Sequence, residues 1–173
     1  MKCDECSGNV IVDRQAVRRY DVGGLPHVEL QGVEVERCEG CGKEEVAIPR
    51  IAQLHRVLAD TLVKQPRMLA PVEVRFLRKH VGLCTAEFAE VMGVARETVS
   101  RWESGGQPMG AVADRLLRLI VLSHAPTENY GVEDLLRSLN DTPAPEFPAA
   151  VAMCNNSKSG WTLGGRKRKL AAV

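Results

Sequence analysis

Apolar residues recur at two different periods along the chain, and the change from one to the other divides it. Val10-Ile11-Val12 reads as a short strand. Val28 and Leu30 then alternate with polar neighbours until Gly32 shifts the parity to Val33 and Val35. Alternation broken at a glycine predicts a strand with a β-bulge at Gly32. Between these runs, Asp21 to Pro26 is dense in turn formers. From Ile51 the spacing lengthens: Ile51, Leu54, Leu58 and Leu62 line one face behind Pro49, with Arg50, Gln53 and Arg56 outside the stripe. That is an amphipathic helix with proline at its entry. Gln65-Pro66 and Ala70-Pro71 interrupt helical continuity, so residues 65–71 read as a linker.

Beyond the linker the pattern becomes short helices with tight joints, expected over 72–81, 85–92, 95–104, 110–123 and 132–139. In the fourth of these, Val112, Leu116, Leu119 and Ile120 suffice for a core face, leaving Leu117 and Val121 either as apolar surface on a second side for a partner copy or as part of an unusually buried helix. The end of the chain differs in kind. Thr142 to Pro148 is proline-rich and Asn155 to Gly160 lacks apolar periodicity, so residues 141–173 are expected to be a disordered, basic tail. The fold class is therefore mixed: a β-hairpin and helix domain over 1–64, the linker, an all-α five-helix domain over 72–140, and the tail.

Cysteine spacing supplies the chemistry of the first domain. Cys3-Asp4-Glu5-Cys6 and Cys38-Glu39-Gly40-Cys41 are two CxxC steps, each able to bring two thiolates to one ion. Two such turns complete a closed tetrahedral shell of four sulfurs, the arrangement of structural zinc, with no position left open for catalysis. Iron and a redox dithiol are the alternatives. The N-terminus lacks an apolar signal core and no apolar run is long enough to span a bilayer, so a reducing cytoplasm is expected, where paired CxxC motifs read as metal sites rather than disulfides. Of the six cysteines, Cys84 reads as a small helix-boundary residue and Cys154 as a solvent-exposed thiol in the tail.

Charge narrows the partners. The net charge of +1 divides into −1 over residues 1–71, −1 over 72–139 and +3 over 140–173. A basic nucleic-acid coat is absent, so any duplex affinity must come from a local patch, from dimerisation or from the tail. The run Arg166 to Lys169 reads as a solvated, solubilising stretch. His27, His55, His80 and His124 are scattered without ligand spacing and offer no catalytic partner. Neither an enzyme nor a small-molecule substrate is expected.

Within the helical part, Leu77, Val81, Leu83, Phe88, Ala89, Val91, Val94, Val99 and Trp102 form an apolar skeleton, with Gly93 where one helix turns sharply into the next. Ala89 is small where two helices would cross, and Gly93 tolerates positive φ. This is a helix-turn-helix signature. It presents Arg96, Glu97, Thr98, Ser100 and Arg101 as candidate base readers, and Arg75, Lys79 and Thr85 as candidate backbone contacts.

The stretch Leu83 to Gly105, ending Ser100-Arg101-Trp102-Glu103-Ser104-Gly105, resembles the XRE-type helix-turn-helix. Joined to the CxxC pairs, residues 1–139 resemble the MqsA antitoxins, in which a YgiT-type zinc domain precedes an XRE-type domain. That resemblance implies structural zinc on Cys3, Cys6, Cys38 and Cys41. It also implies a homodimer that represses its operon by binding an operator palindrome in double-stranded DNA, and capture of a small ribonuclease toxin by the zinc domain. Two departures stand out. Cys84-Thr85 replaces the usual Thr-Gln, with Glu87 still available as the return arm of a capping box; and Glu97 stands where the family reads bases with Asn, while Arg101 matches. A stand-alone zinc-containing regulator without a toxin is the alternative.

Overall fold

The alternating segments pair as β1 (Val10–Tyr20) and β2 (Leu25–Cys38), antiparallel, in a computed structural model that describes residues 1–21, 24–124, 137, 139, 143, 152–157 and 160–164. Ala16 pairs with Val33 and Val17 with Gln31, leaving Gly32 as the extra residue of a bulge at φ 69°. Alternation along β2 buries Val28, Leu30, Val33 and Val35 on one side. β2 is the hub of the sheet. One edge carries β1; the other carries β3 (Glu44–Ala47) near its end and, in parallel, β4 (Ala152–Ser157) near its start. β5 (Gly160–Gly164) completes the sheet against β4.

These last two strands correct the expectation of disorder within 141–173. β5 pairs locally with β4, but the β2 edge that receives β4 lies more than a hundred residues away, and runs such as Met153-Cys154-Asn155-Asn156 carry little strand propensity of their own. Cys154 is fully buried rather than solvent-exposed, and burial pushes its thiol up to about 11. The rest of 141–173, apart from Pro143, lies outside the described residues.

α1 (Ile51–Val63) buries Leu54, Leu58 and Leu62 as its periodicity requires. It starts at Arg50, whose left-handed backbone (φ 51°) is braced by its own guanidinium: Nη2 donates to Asn156 Oδ1 and to the Ser157 carbonyl, both at 2.6 Å. Trp161 Nε1 donates to the Pro49 carbonyl at 2.7 Å, so the β4–β5 hairpin grips the entry to α1.

Four of the five expected helices of the second part follow: α2 (Pro71–His80), α3 (Thr85–Met92), α4 (Arg96–Ser104) and α5 (Ala111–His124). The fifth, over 132–139, lies outside the described residues except for Arg137 and Leu139. The all-α description holds for α2 to α5; beyond them the chain returns to the sheet. Pro71 occupies the first turn of α2, where its missing N–H costs nothing.

On α5 the two expected faces are exchanged. Leu117, Val121 and Leu122 are buried, whereas Val112 is 80 % exposed and Leu116 and Leu119 each 37 %. Asp114 and Arg118 cause the exchange by lying on the buried side as an ion pair. Arg118 donates to Asp114 Oδ2 at 2.7 Å and to the carbonyls of Val63, Gln65 and Arg67 at 2.8, 2.7 and 2.6 Å. It thereby caps the end of α1 and pins the segment 65–71. Glu73 completes this seam, accepting from Arg67 at 2.7 and 2.8 Å and from the Ala70 N–H at 2.7 Å. Burial alone would raise the Glu73 carboxyl, but Arg67, His27 and the Ala70 N–H hold it down at about 2. Around the same seam Tyr20 meets His55, and His55 packs edge-on against Phe76, which stacks on His80. One continuous apolar cluster runs from the sheet through α1 into the helices.

Candidate metal centre and nucleic-acid interface

The thiolate cluster is built from two turns with the same wiring. The Cys3 N–H donates to the Gly8 carbonyl and the Ser7 N–H to the Cys3 carbonyl; the Cys38 N–H donates to the Lys43 carbonyl and the Gly42 N–H to the Cys38 carbonyl. Ser7 and Gly42, equivalent in the two turns, both take left-handed φ, 57° and 73°. The four Sγ atoms all lie within 4.8 Å of one another, with Cys3···Cys41 at 3.8 Å and Cys6···Cys38 at 3.3 Å. A tetrahedral ion with metal–sulfur bonds of about 2.3 Å needs sulfurs about 3.8 Å apart, so the donor set fits one metal ion.

Close glycines leave room for the sulfurs. A Cβ on Gly8 would stand 3.1 Å from the sulfurs of Cys6 and Cys38, and one on Gly40 would stand 3.2 Å from that of Cys6. The shifts divide the thiols: the Cys41 backbone N–H, helped by that of Gly40, holds Cys38 down at about 6, while against the N–H groups of Gly8 and Lys43 the neighbouring Cys38 sulfur pushes Cys6 up to about 12 and raises Cys41. Lys43 pairs with Asp4 and Glu5 across the two turns, and the Glu5 carboxylate, then that of Asp4, raises its amine above the usual range. Sequence reading named all four cysteines. It missed Gly8, Gly40 and Lys43, although the glycine inside Cys-Glu-Gly-Cys was a usable sign.

α3 and α4 meet across a turn at Gly93, whose φ of 65° caps α3. Phe88, Ala89, Val99 and Trp102 are buried between helices; Val91, 52 % exposed, falls outside the skeleton in which it was placed. Cys84 caps α3 itself: its Sγ accepts from the Glu87 N–H at 3.5 Å, and Glu87 Oε2 accepts from the Cys84 N–H at 2.7 Å. The Cys84 N–H holds the Glu87 carboxyl below its ordinary range.

Of the expected base readers, Arg96, Glu97, Ser100 and Arg101 are exposed together on α4, and Thr98 is half-buried. Lys79 is exposed and Thr85 half-buried at the start of α3. Arg75 is exposed but engaged: its guanidinium lies 3.4 Å from Glu103, a buried carboxylate that also accepts from buried Arg78. Glu103 thus ties the last turn of α4 to α2, on the edge of the helix that also carries Arg96 one heptad earlier. Sequence reading named Arg75 but not this anchor. The exposed surface is mixed in sign, since Glu87, Glu90 and Glu97 stand among Lys79, Arg96 and Arg101.

A helix-turn-helix family model matches residues 74–121, the span of α2 to α5 almost end to end. No curated protein and no solved structure matches the chain. The chain carries an XRE-type helix-turn-helix domain and, with it, the hallmark of a DNA-binding transcription regulator. Four neighbouring cysteines able to hold a metal ion accompany that domain. Among the described residues, no helix is long and apolar enough to cross a membrane.

Proposed function

We propose that the chain is a cytoplasmic transcriptional repressor. It binds an operator palindrome in double-stranded DNA as a homodimer, with α4 in the major groove and structural zinc on Cys3, Cys6, Cys38 and Cys41. No catalytic step belongs to this reading. The observation that carries it is the exposed quartet Arg96, Glu97, Ser100 and Arg101 on a helix whose other side is buried through Val99 and Trp102 and whose last turn is tied to α2 by Glu103. Such a helix offers Arg for guanine and Glu for cytosine from a rigid mount. The mixed charge of the surface makes one copy a weak binder, and a dimer doubles the contacts. The exposed apolar stripe Val112, Leu116 and Leu119 on α5 is the surface a second copy would cover.

Band shifts with duplex from the region preceding the chain's own coding sequence test this. Arg101→Ala is expected to weaken specific binding by about 1–3 kcal/mol and relax preference at one base position, with stability unchanged. Retention of full affinity and sequence preference by an Arg101→Ala, Arg96→Ala double variant would end the reading. Leu119→Glu is expected to give a monomer by light scattering.

The finer reading makes the repressor an antitoxin whose sheet neutralises a small ribonuclease toxin. Its support is the order of a tetrathiolate cluster followed by an XRE-type domain, as in the MqsA antitoxins. Expression of the intact operon decides it, since a ribonuclease should co-purify and be silent until released. The stand-alone regulator is favoured by a different observation: the sheet shares its core with the helices, so it can serve purely as a brace.

A further inference from the structure

Behind α4 lies an apolar cavity of about 410 Å³ to which the DNA reading assigns no role. Its walls come from separate parts of the chain: Leu69 before α2, Val74 within it, Trp102 on α4 and Met109 before α5, all buried, with Pro143 also lining it. Among the described residues, the lining holds no charged side chain and a single amide, that of Gln107.

This lining selects the occupant by chemistry. Among the described lining residues no charged side chain would offset the hydration a charged ligand loses, so the site they form suits an uncharged molecule. The volume falls in the range of small-molecule sites and is too small for a helix or a strand of a partner protein. Met68 and Met109 give the walls adaptable side chains, and Gln107 can fix the direction of one hydroxyl or carbonyl group. The cavity is also wired to the DNA side. The Gln107 N–H donates to the Arg101 carbonyl at 3.3 Å, Trp102 follows Arg101 directly, and α4 ends at Gly105 with φ 80°. Filling the space behind Trp102 therefore bears on the helix that carries Arg101.

We propose that this cavity binds a small, uncharged, mainly apolar molecule carrying one hydrogen-bonding group, and that occupancy changes the affinity of α4 for DNA. The second half rests on the DNA-binding reading above; the first half does not.

The probe is 4-bromophenol, uncharged at neutral pH, whose bromine quenches indole fluorescence on contact. The chain has two tryptophans, so the full-length Trp161→Phe variant leaves Trp102 as the sole reporter. Quenching is expected to saturate. Ala111→Phe, which places a ring in the cavity, is expected to raise the dissociation constant about tenfold or more with an unchanged far-UV spectrum. Gln107→Leu should weaken 4-bromophenol but leave bromobenzene unaffected. Saturation-transfer NMR on the unaltered chain repeats the measurement without relying on any variant. Quenching that stays linear in probe and is equal in the Ala111→Phe chain, together with no NMR transfer, overturns the site. At saturating probe the dissociation constant for operator duplex is expected to shift about fivefold or more. An unchanged value overturns the regulatory half. Saturable quenching in a chain that binds no duplex would keep the cavity and remove the DNA reading.

Discussion

At the thiolate end of the sheet, Ile11 and Val46 face solvent, every residue of β3 is exposed, and the cysteines are the main groups that converge. In the helical part, Leu77, Phe88, Val99 and Leu117 are fully buried and Glu103 anchors two arginines. One end has chemistry where the other has a core. A region with little apolar area to bury depends on a ligand to offset chain entropy, while a packed region does not. The two should therefore fail separately.

Metal removal is the largest perturbation expected. Chelation, or Cys38→Ser, should remove metal-linked folding free energy on the order of 10 kcal/mol and expose the thiolate end, residues 1–12 and 36–47, to proteolysis, while helical circular dichroism largely persists. Equal loss of signal from both parts would erase the contrast.

Next comes the joint between them. Arg118→Met leaves Asp114 buried and three carbonyls without a donor, and should cost about 3–5 kcal/mol by urea denaturation. Because the seam touches both parts, the loss should be felt in each.

Acid sharpens the same point. The Glu73 carboxyl is depressed from 4.5 to about 2, so its contribution of roughly 3 kcal/mol is complete above pH 4.5 and disappears as pH falls towards 2. Burial also lowers His55 and His80, so the unfolded chain takes up more protons and stability already declines as pH drops below the ordinary histidine value. Urea midpoints at pH 7, 5 and 3 should fall in that order, and Glu73→Gln should flatten the lower part of the curve. The smallest expected change is local: Cys84→Ser, a better cap for α3, should stabilise the helical part by about 0.5–1 kcal/mol and leave metal affinity untouched.

Where neighbours in sequence carry the information, the fold was legible. The CxxC steps predicted the sulfur cluster, the parity change at Gly32 predicted the bulge, and helices α1 to α5 lie within a residue or two of the apolar spacing. The failures share a cause. Apolar spacing alone does not place Asp114 and Arg118 on the buried face of α5, because charges are seldom buried. Arg118 is buried because the carbonyls of a distant segment accept from it, and Asp114 because Arg118 and the Leu69 N–H donate to it. β4 and β5 depend in the same way on an edge of β2 that no local pattern in the tail announces. At the candidate interface, exposure of Arg96, Glu97, Ser100 and Arg101 followed from periodicity, whereas the tie of Arg75 to Glu103 needed three dimensions.

The grip of the β4–β5 hairpin on Arg50 and Pro49 has a practical side for anyone trimming this protein. Cutting after residue 140, where composition invites the scissors, would uncover the flank of β2 beside Val28 and Leu30 and leave the twist at Arg50 without its two acceptors. The shortened polypeptide would carry a bare strand margin, the kind of surface that recruits its own copies into aggregates. Stretches that look dispensable can be what keeps a molecule solitary.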